Sequence, residues 1–329
     1  MRLLLFGLFS IPAMGAVTIS GTLTNGTTEG VGSADVVQLV ELSGMMRPVT
    51  VLTDITGEFT LEYEGAFEQG RLMVQALKGP AIYSEQVTDP SKPINITVYD
   101  NSEEVKLVTR IGSLAFYAAG ENMDIAFFFN LDNMGSPPKT LVREDATFSF
   151  ATIPGNTGME ANTLRSSMPL KQALTIDGDR ASMAYPLKPG RTQFMVRSLH
   201  TYSSEGENEY IVPVLEDQEF IHILAFPSTI KLEGEGLSYV SDDPKNGAAL
   251  YQYDRTEGQK EMVVRISGTS ATPQQINEST GMSDHDHAHN TEHKIVNTPN
   301  FLSEYRWIIV GSLLGFLLLV SVYSLNNRH

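Results

Sequence analysis

The stretch Val17-Thr18-Ile19-Ser20-Gly21-Thr22-Leu23-Thr24 alternates strictly, with Val17, Ile19, Gly21 and Leu23 on one side and hydroxyl-bearing residues on the other. A period of two is what a β-strand imposes on successive side chains, so one face enters a core and the other meets water. Phe59, Leu61 and Tyr63 alternate with Glu58, Thr60 and Glu62 in the same way, and Ile94, Ile96 and Val98 alternate with Asn95, Thr97 and Tyr99. Turn-forming residues separate these runs at Asn25-Gly26, Gly30 to Gly32, Gly57, Gly70 and Asp89-Pro90. About seven short strands in roughly 80 residues predict an antiparallel β-sandwich from Val17 to about Asp100.

Outward from this region, residues 104–268 carry further strand candidates and no sustained helical periodicity. The candidates are 105–116, 125–131, 146–151, 173–176, 192–199, 210–215, 221–226, 230–232, 248–253 and 262–266. Turns recur at Gly135-Ser136-Pro137-Pro138, Pro154-Gly155, Asp177-Gly178-Asp179, Pro189-Gly190 and Asp243-Pro244. The expected fold class is therefore all-β: two β-sandwich domains in tandem, or three if the second divides, followed by one C-terminal transmembrane helix.

Three runs carry a family likeness: Gly21-Thr22-Leu23-Thr24-Asn25-Gly26, Gly32-Ser33-Ala34-Asp35-Val36-Val37-Gln38-Leu39, and Thr53-Asp54-Ile55-Thr56-Gly57-Glu58-Phe59-Thr60-Leu61. Over residues 17 to about 100 the chain resembles the carboxypeptidase regulatory-like domain. The resemblance implies a transthyretin-like β-sandwich, in which Asp54 and Gly57 would close a tight hairpin before Phe59 and Leu61 enter the core. It also implies a non-catalytic appendage, with no counterpart here of the metallocarboxypeptidase zinc domain. Related sandwich modules bind sugars, which makes a glycan an alternative ligand.

The two ends point to export and anchoring. Met1-Arg2, the apolar run Leu3 to Phe9, and Ala13 and Gly15 ahead of Ala16 form the pattern of a secretory signal peptide over residues 1–15. Trp307 to Leu325 carries no charge and, at about 1.5 Å per residue, reaches roughly 28 Å, close to the hydrocarbon thickness. Tyr305, Trp307 and Tyr323 are placed like interfacial anchors. Within the run, Gly311 and Gly315 have the spacing of a helix-pairing motif. The expected organisation is a signal peptide (1–15), the regulatory-like sandwich (16–102), a second β-rich domain (103–268), a flexible tether (269–303), a transmembrane helix (304–325) and a cytoplasmic tail (326–329). The bulk of the chain would then face the periplasm or the cell surface, held by a single pass through the cytoplasmic membrane.

Composition narrows the chemistry. With 23 basic against 39 acidic residues the formal net charge is −16, which opposes binding to a nucleic-acid backbone. The absence of cysteine excludes disulfides, thiolate nucleophiles and cysteine-ligated metals. No H-E-x-x-H, nucleophile elbow or phosphate-binding glycine loop is present, so no catalytic residue and no cofactor is assigned and no enzyme is expected. His200 and His222 fall in or beside predicted strands, with Ser203 and Ser204 as nearby hydroxyls.

Four of the seven histidines, His285, His287, His289 and His293, crowd into the tether among Asp284, Asp286 and Glu292. Imidazoles on a mobile chain can wrap zinc, nickel or copper weakly, while a solvated tether with incidental histidines explains the same residues. Acidic turns at Asp177 and Asp179 and at Asp242 and Asp243 offer oxygen ligands for calcium or, more simply, ordinary turn chemistry. Phe127-Phe128-Phe129 needs cover on both strand faces, from core packing or from a bound protein.

The function expected from these readings is a non-enzymatic, membrane-anchored envelope protein that binds another protein or complex through sandwich surfaces or exposed edges. Carbohydrate binding, through tyrosines such as Tyr63, Tyr83, Tyr99, Tyr202 or Tyr251, and metal handling by the histidine-rich tether are the alternatives.

Overall fold

The computed structural model describes residues 16–43, 46–165, 168–244 and 246–271. Among these residues the chain is all β, and no helix is long and apolar enough to cross a membrane. The expected signal peptide, the expected transmembrane segment, and His285, His287, His289 and His293 of the expected tether lie outside the described residues. Residues 269–271 belong to the folded part rather than the tether, because the Ala271 amide donates to the Ala118 carbonyl at 3.0 Å. Contacts group the described residues into two compact units, one within 16–111, 128–152 and 160–196 and the other within 112–127, 153–159 and 197–271.

The first unit begins with eight strands: β1 (Val17–Asn25), β2 (Gly30–Val31), β3 (Ser33–Glu41), β4 (Arg47–Thr56), β5 (Glu58–Tyr63), β6 (Leu72–Lys78), β7 (Ala81–Gln86) and β8 (Ile94–Val98). One sheet joins β2, β1, β5 and β8, and the other runs β4-β3-β6-β7. Their inward residues share a single core that includes Ile19, Leu23, Leu39, Leu61, Leu72, Val74, Ile96 and Val98. Fully burying each such side chain contributes about 1.5–3 kcal/mol against the entropy of ordering the chain. Gly21 sits on that inner face because a Cβ there would stand 2.3 Å from the Phe59 ring and 2.4 Å from the Ile94 carbonyl oxygen.

Two expectations for this region are corrected. The expected hairpin at Asp54 to Gly57 is a crossing between sheets: β4 pairs with β3, whereas β5 pairs with β1. Gly57, at φ 74°, makes this possible by donating to the Gly32 carbonyl and accepting from the Leu23 amide. The sheet is also not purely antiparallel, since β8 pairs with β1 in parallel. Alternation reports which face is buried and carries no information on the direction of the neighbouring strand.

The chain continues through β9 (Asn101–Ser102), β10 (Leu107–Ala119), β11 (Asn122–Asn133), β12 (Thr140–Leu141), β13 (Phe148–Ala151), β14 (Gly158–Arg165), β15 (Met168–Gln172), β16 (Thr175–Asp177), β17 (Arg180–Met183) and β18 (Gly190–Thr201). Within the first unit, β9 pairs with β12. Thr27 Oγ1 donates to the Pro138 carbonyl and Tyr83 shares a 2.7 Å hydrogen bond with Thr140. These bonds tie the eight-strand region to residues 137–141. An aromatic cluster follows: Phe129 lies 5.0 Å from Phe148 and 5.4 Å from Phe150, and Phe194 meets Tyr185 edge-on at 5.4 Å. Phe127, Phe128 and Phe129 are all buried, so no binding surface is left there.

The second unit contains β19 (Asn208–Pro213), β20 (Phe220–Phe226), β21 (Ile230–Glu233), β22 (Leu237–Asp243), β23 (Ala248–Asp254) and β24 (Glu261–Gly268). Residues 113–117 of β10 pair in parallel with β20, which continues through β23 to β22, and β24 lies between β19 and β21. Phe116, Ile125, Ile223, Tyr253 and Val264 are among its core. Strands β14, β15, β17 and β22 do not stand out in the sequence. β22 exposes Tyr239 and Val240 in succession, so it shows no alternation, and β15 carries Pro169, which a strand paired on one side tolerates.

Candidate functional site

In the first unit, the strand β6 alternates between Leu72, Val74 and Ala76, which enter the core, and Met73 and Gln75, which point to the opposite face. Ile82, Ser84 and Gln86 of β7 stand beside them, in register at Leu77, Gln75 and Met73. That face floors a groove of about 780 Å³. Leu170 and Gln172 of β15 line it together with Tyr185, Pro186 and Lys188, and Leu42, Met46 and Pro80 complete it.

The groove is mostly uncharged. Lys188 is the one charged side chain among its lining residues; its ammonium lies 4.6 Å from the centre of the Tyr83 ring and donates to the Ile82 carbonyl. Gln75 accepts from Gln38 at 2.8 Å, which fixes its amide orientation. Ile82, Met46 and Leu170 keep 41%, 55% and 44% of their surface exposed. β7 is the last strand of its sheet, so one row of its main-chain groups faces away from β6. Methionines adapt to differently shaped apolar partners, and glutamine amides both donate and accept. The arrangement suits an extended, uncharged ligand better than a small ionic one.

A different polar chemistry lies inside the second unit. Arg197 of β18 donates to Asp124 of β11 through Nε at 2.7 Å and through Nη2, both side chains being buried. Burial pushes the nearby Tyr117 hydroxyl far above its usual range, with the Asp124 charge adding to the effect. Ser198 Oγ stands 2.9 Å from His200 Nε2. Burial holds His200 and His222 below the usual histidine range. The Ser198–His200 pair is closed to solvent.

Ser203 and Ser204 do not approach His200 as nucleophiles would; the Ser203 amide and carbonyl are taken by Asn208. Asp177 and Asp179 flank the hairpin between β16 and β17, closed by Gly178 at φ 59°. Asp243 accepts from Asn246 at 2.7 Å. Among the described residues no group of three or more histidine or acidic side chains is arranged to hold a metal ion. The aromatic residues expected to meet a sugar are mostly inside: Tyr63, Tyr83, Tyr202 and Tyr251 are buried. Sequence reasoning missed the groove because its lining comes from segments more than 80 residues apart, none with a motif of its own.

No family model matches the chain, and no curated protein matches it. Among solved structures it aligns with the M1 zinc metallopeptidase from Deinococcus radiodurans, at 7% identity and a TM-score of 0.27, over 48% of this chain and 42% of that one. A mutant of that enzyme, free and bound to a Tyr-Ser-Ala substrate, aligns to the same extent. The chain thus spans less than half of the enzyme's length, and a likeness this slight carries no inference about activity.

Proposed function

We propose that the chain is a non-enzymatic, single-pass membrane-anchored envelope protein that holds an extended segment of another protein in the groove beside β7. The observation that carries this reading is the groove itself: an open, mostly uncharged slot of about 780 Å³ with exposed Ile82, Met46 and Leu170. Peptides commonly bind by laying an extended backbone along such an edge while side chains drop into adjacent pockets. The apolar run 307–325 supports anchoring, and the leader-like residues 1–15 support export. Two facing sheets around one core agree with the regulatory-like sandwich that residues 17–100 resemble.

A photo-crosslinker placed at Ile82 in native membranes tests the reading, with the same probe at exposed Thr97 of β8 as control. The expected outcome is one discrete adduct at Ile82, absent at Thr97 and abolished by Met73→Arg. Equal labelling at both positions overturns it. A neutral glycan is the second reading, favoured by three glutamines and the Tyr185 ring in the same groove. Saturable binding to a glycan array, lost in a Gln75→Ala/Gln172→Ala variant, would replace the peptide with a sugar chain.

A further inference from the structure

We propose that Asn25 and Lys78 become joined by a side-chain amide bond that the folded first unit makes for itself, with Asp100 carrying the protons. The three residues close one end of the eight-strand sandwich: Asn25 ends β1, Lys78 ends β6, and Asp100 follows β8. Strands β1 and β6 belong to different sheets, so the bond would staple the two sheets together at that end. A single oxygen collects both partners. Asp100 Oδ1 accepts from Lys78 Nζ at 2.7 Å and from Asn25 Nδ2 at 3.0 Å. The other side of the amide is fixed as well, because Asn25 Oδ1 accepts from the Thr27 amide at 2.8 Å and from the Thr28 amide at 3.3 Å. A carboxylate only accepts and backbone N–H groups only donate, so this orientation of the Asn25 amide is the one that satisfies every bond. Asp100 is held in turn by its own amide, which donates to Thr27 Oγ1 at 2.9 Å.

These contacts supply what aminolysis of an amide needs. The nucleophile is the Lys78 amine, on a side chain only 18% exposed. Two backbone N–H groups point at the oxygen on which negative charge develops during attack, as the donors of an oxyanion hole do. The leaving nitrogen already rests on the carboxylate that will protonate it. Asp100 takes a proton from the Lys78 ammonium, and the freed Nζ attacks Asn25 Cγ. Asp100 then delivers that proton to Nδ2 and takes a second one from Nζ as the Cγ–Nδ2 bond breaks. One C–N bond forms and one breaks, no electrons are transferred, and a departing ammonium carries away the charge and the second proton that Lys78 brought. Asp100 ends as the carboxylate it began. The Lys78 hydrogen bond keeps the Asp100 carboxyl below its usual range, so the free amine is the minor species. A reaction that occurs once per chain has to visit that species only once, with the reacting groups already gathered. The competing loss of ammonia, closure of the Asn25 side chain on the Gly26 nitrogen, is opposed because the Gly26 amide is engaged by the Val98 carbonyl at 2.8 Å. In a chain without cysteine, the bond supplies the covalent link between sheets that a disulfide would.

Mass spectrometry of the full-length chain, sampled over days from synthesis at neutral pH, reads the bond directly. The wild type is expected to become lighter by one ammonia. Its tryptic digest is expected to contain a branched peptide joining Asn25 to Lys78, with no cut after Lys78. Lys78→Arg keeps a cation beside Asp100 but has no amine to acylate, so its Asn25 peptide is expected to stay linear and its mass complete. Asp100→Ala is expected to slow the reaction by about a hundredfold, the lower end of what general acid–base catalysis contributes. Should either variant fail to fold, the wild-type digest still decides. Linear peptides throughout the wild-type digest, or an ammonia loss confined to a linear peptide containing Asn25-Gly26, overturns the proposal. Bond formation at the wild-type rate in Asp100→Ala overturns the role given to Asp100.

Discussion

The two compact units bury their polar groups in opposite ways. In the first unit, carboxylates stay charged and gather partners. Glu41 accepts from Arg47, Arg71 and Tyr63; Asp100 accepts from Lys78 and Asn25; Asp132 is gripped by both guanidinium nitrogens of Arg191. The hydrogen bonds from Arg47, Lys78 and Arg191 hold these three carboxyls below their usual range. In the second unit, His200, His222, Tyr117 and Tyr210 are pushed by burial towards their neutral forms, and the charged pair Asp124–Arg197 is closed from water. Charge is kept where a partner of opposite sign stands against it, and groups buried without one are pushed towards neutrality.

The sharpest way to break this comparison is to remove one partner of the buried pair. Arg197→Met strands the Asp124 carboxylate and is expected to cost about 3–5 kcal/mol in urea unfolding. Arg191→Ala, at a site more than half exposed, should cost at most about 1 kcal/mol. Equal losses would mean that the burial difference has no energetic content. The double change Asp124→Leu/Arg197→Met should recover most of the loss, because an apolar pair leaves no uncompensated charge.

Removing the stacked ring in Phe194→Ala should lower the stability of the first unit by about 3–5 kcal/mol, with an effect on near-ultraviolet circular dichroism. That outcome would place the first unit's stability in its rings and aliphatic core, with its ion pairs a small addition. Gly21→Ala offers an independent check, since the new Cβ meets Phe59 and the Ile94 backbone, and a lower melting temperature is expected.

The pH response separates the units next. A histidine held low by burial leaves the unfolded chain binding more protons, so stability rises with pH through that window. The contribution of His200 and His222 is complete above the unfolded value near 6.5 and is lost as the pH falls below it towards their folded values. Depressed carboxylates act lower: their contribution is complete above about 4.5 and is lost as the pH falls through their folded values. Between about pH 6.5 and 4.5 only the second unit should weaken, which site-resolved hydrogen exchange can follow. The smallest effect expected is that of Ile82→Arg, within about 0.5 kcal/mol of wild type by urea denaturation.

Much of the fold was legible in the residues because alternation is a local record of burial. Val17, Ile19, Gly21 and Leu23 face the core as their spacing predicts, and so do Phe59, Leu61 and Tyr63. Asn25 turns the chain where Asn25-Gly26 predicts, its side chain accepting from the Thr27 amide at 2.8 Å. Strands without a dry face were not legible: β22 is exposed along both sides, and its residues carry no alternating signal. The groove was not legible either, since Gln75, Ile82, Leu170 and Tyr185 acquire a common purpose only when three distant segments meet.

By itself, then, the sequence determined which residues form the alternating strands, which of their faces are dry, where many of the turns fall, and that no cysteine chemistry is in play. The tertiary structure decided which strands are neighbours and in which direction: that β4 and β5 separate into different sheets at Gly57, and that β8 runs parallel to β1. It also decided that Asp124 meets Arg197 across 73 residues. The physical reason is range. Dihedral preference and side-chain periodicity act over a few residues, whereas strand pairing and the fate of a buried charge depend on closing long loops around a shared core, which no short stretch encodes.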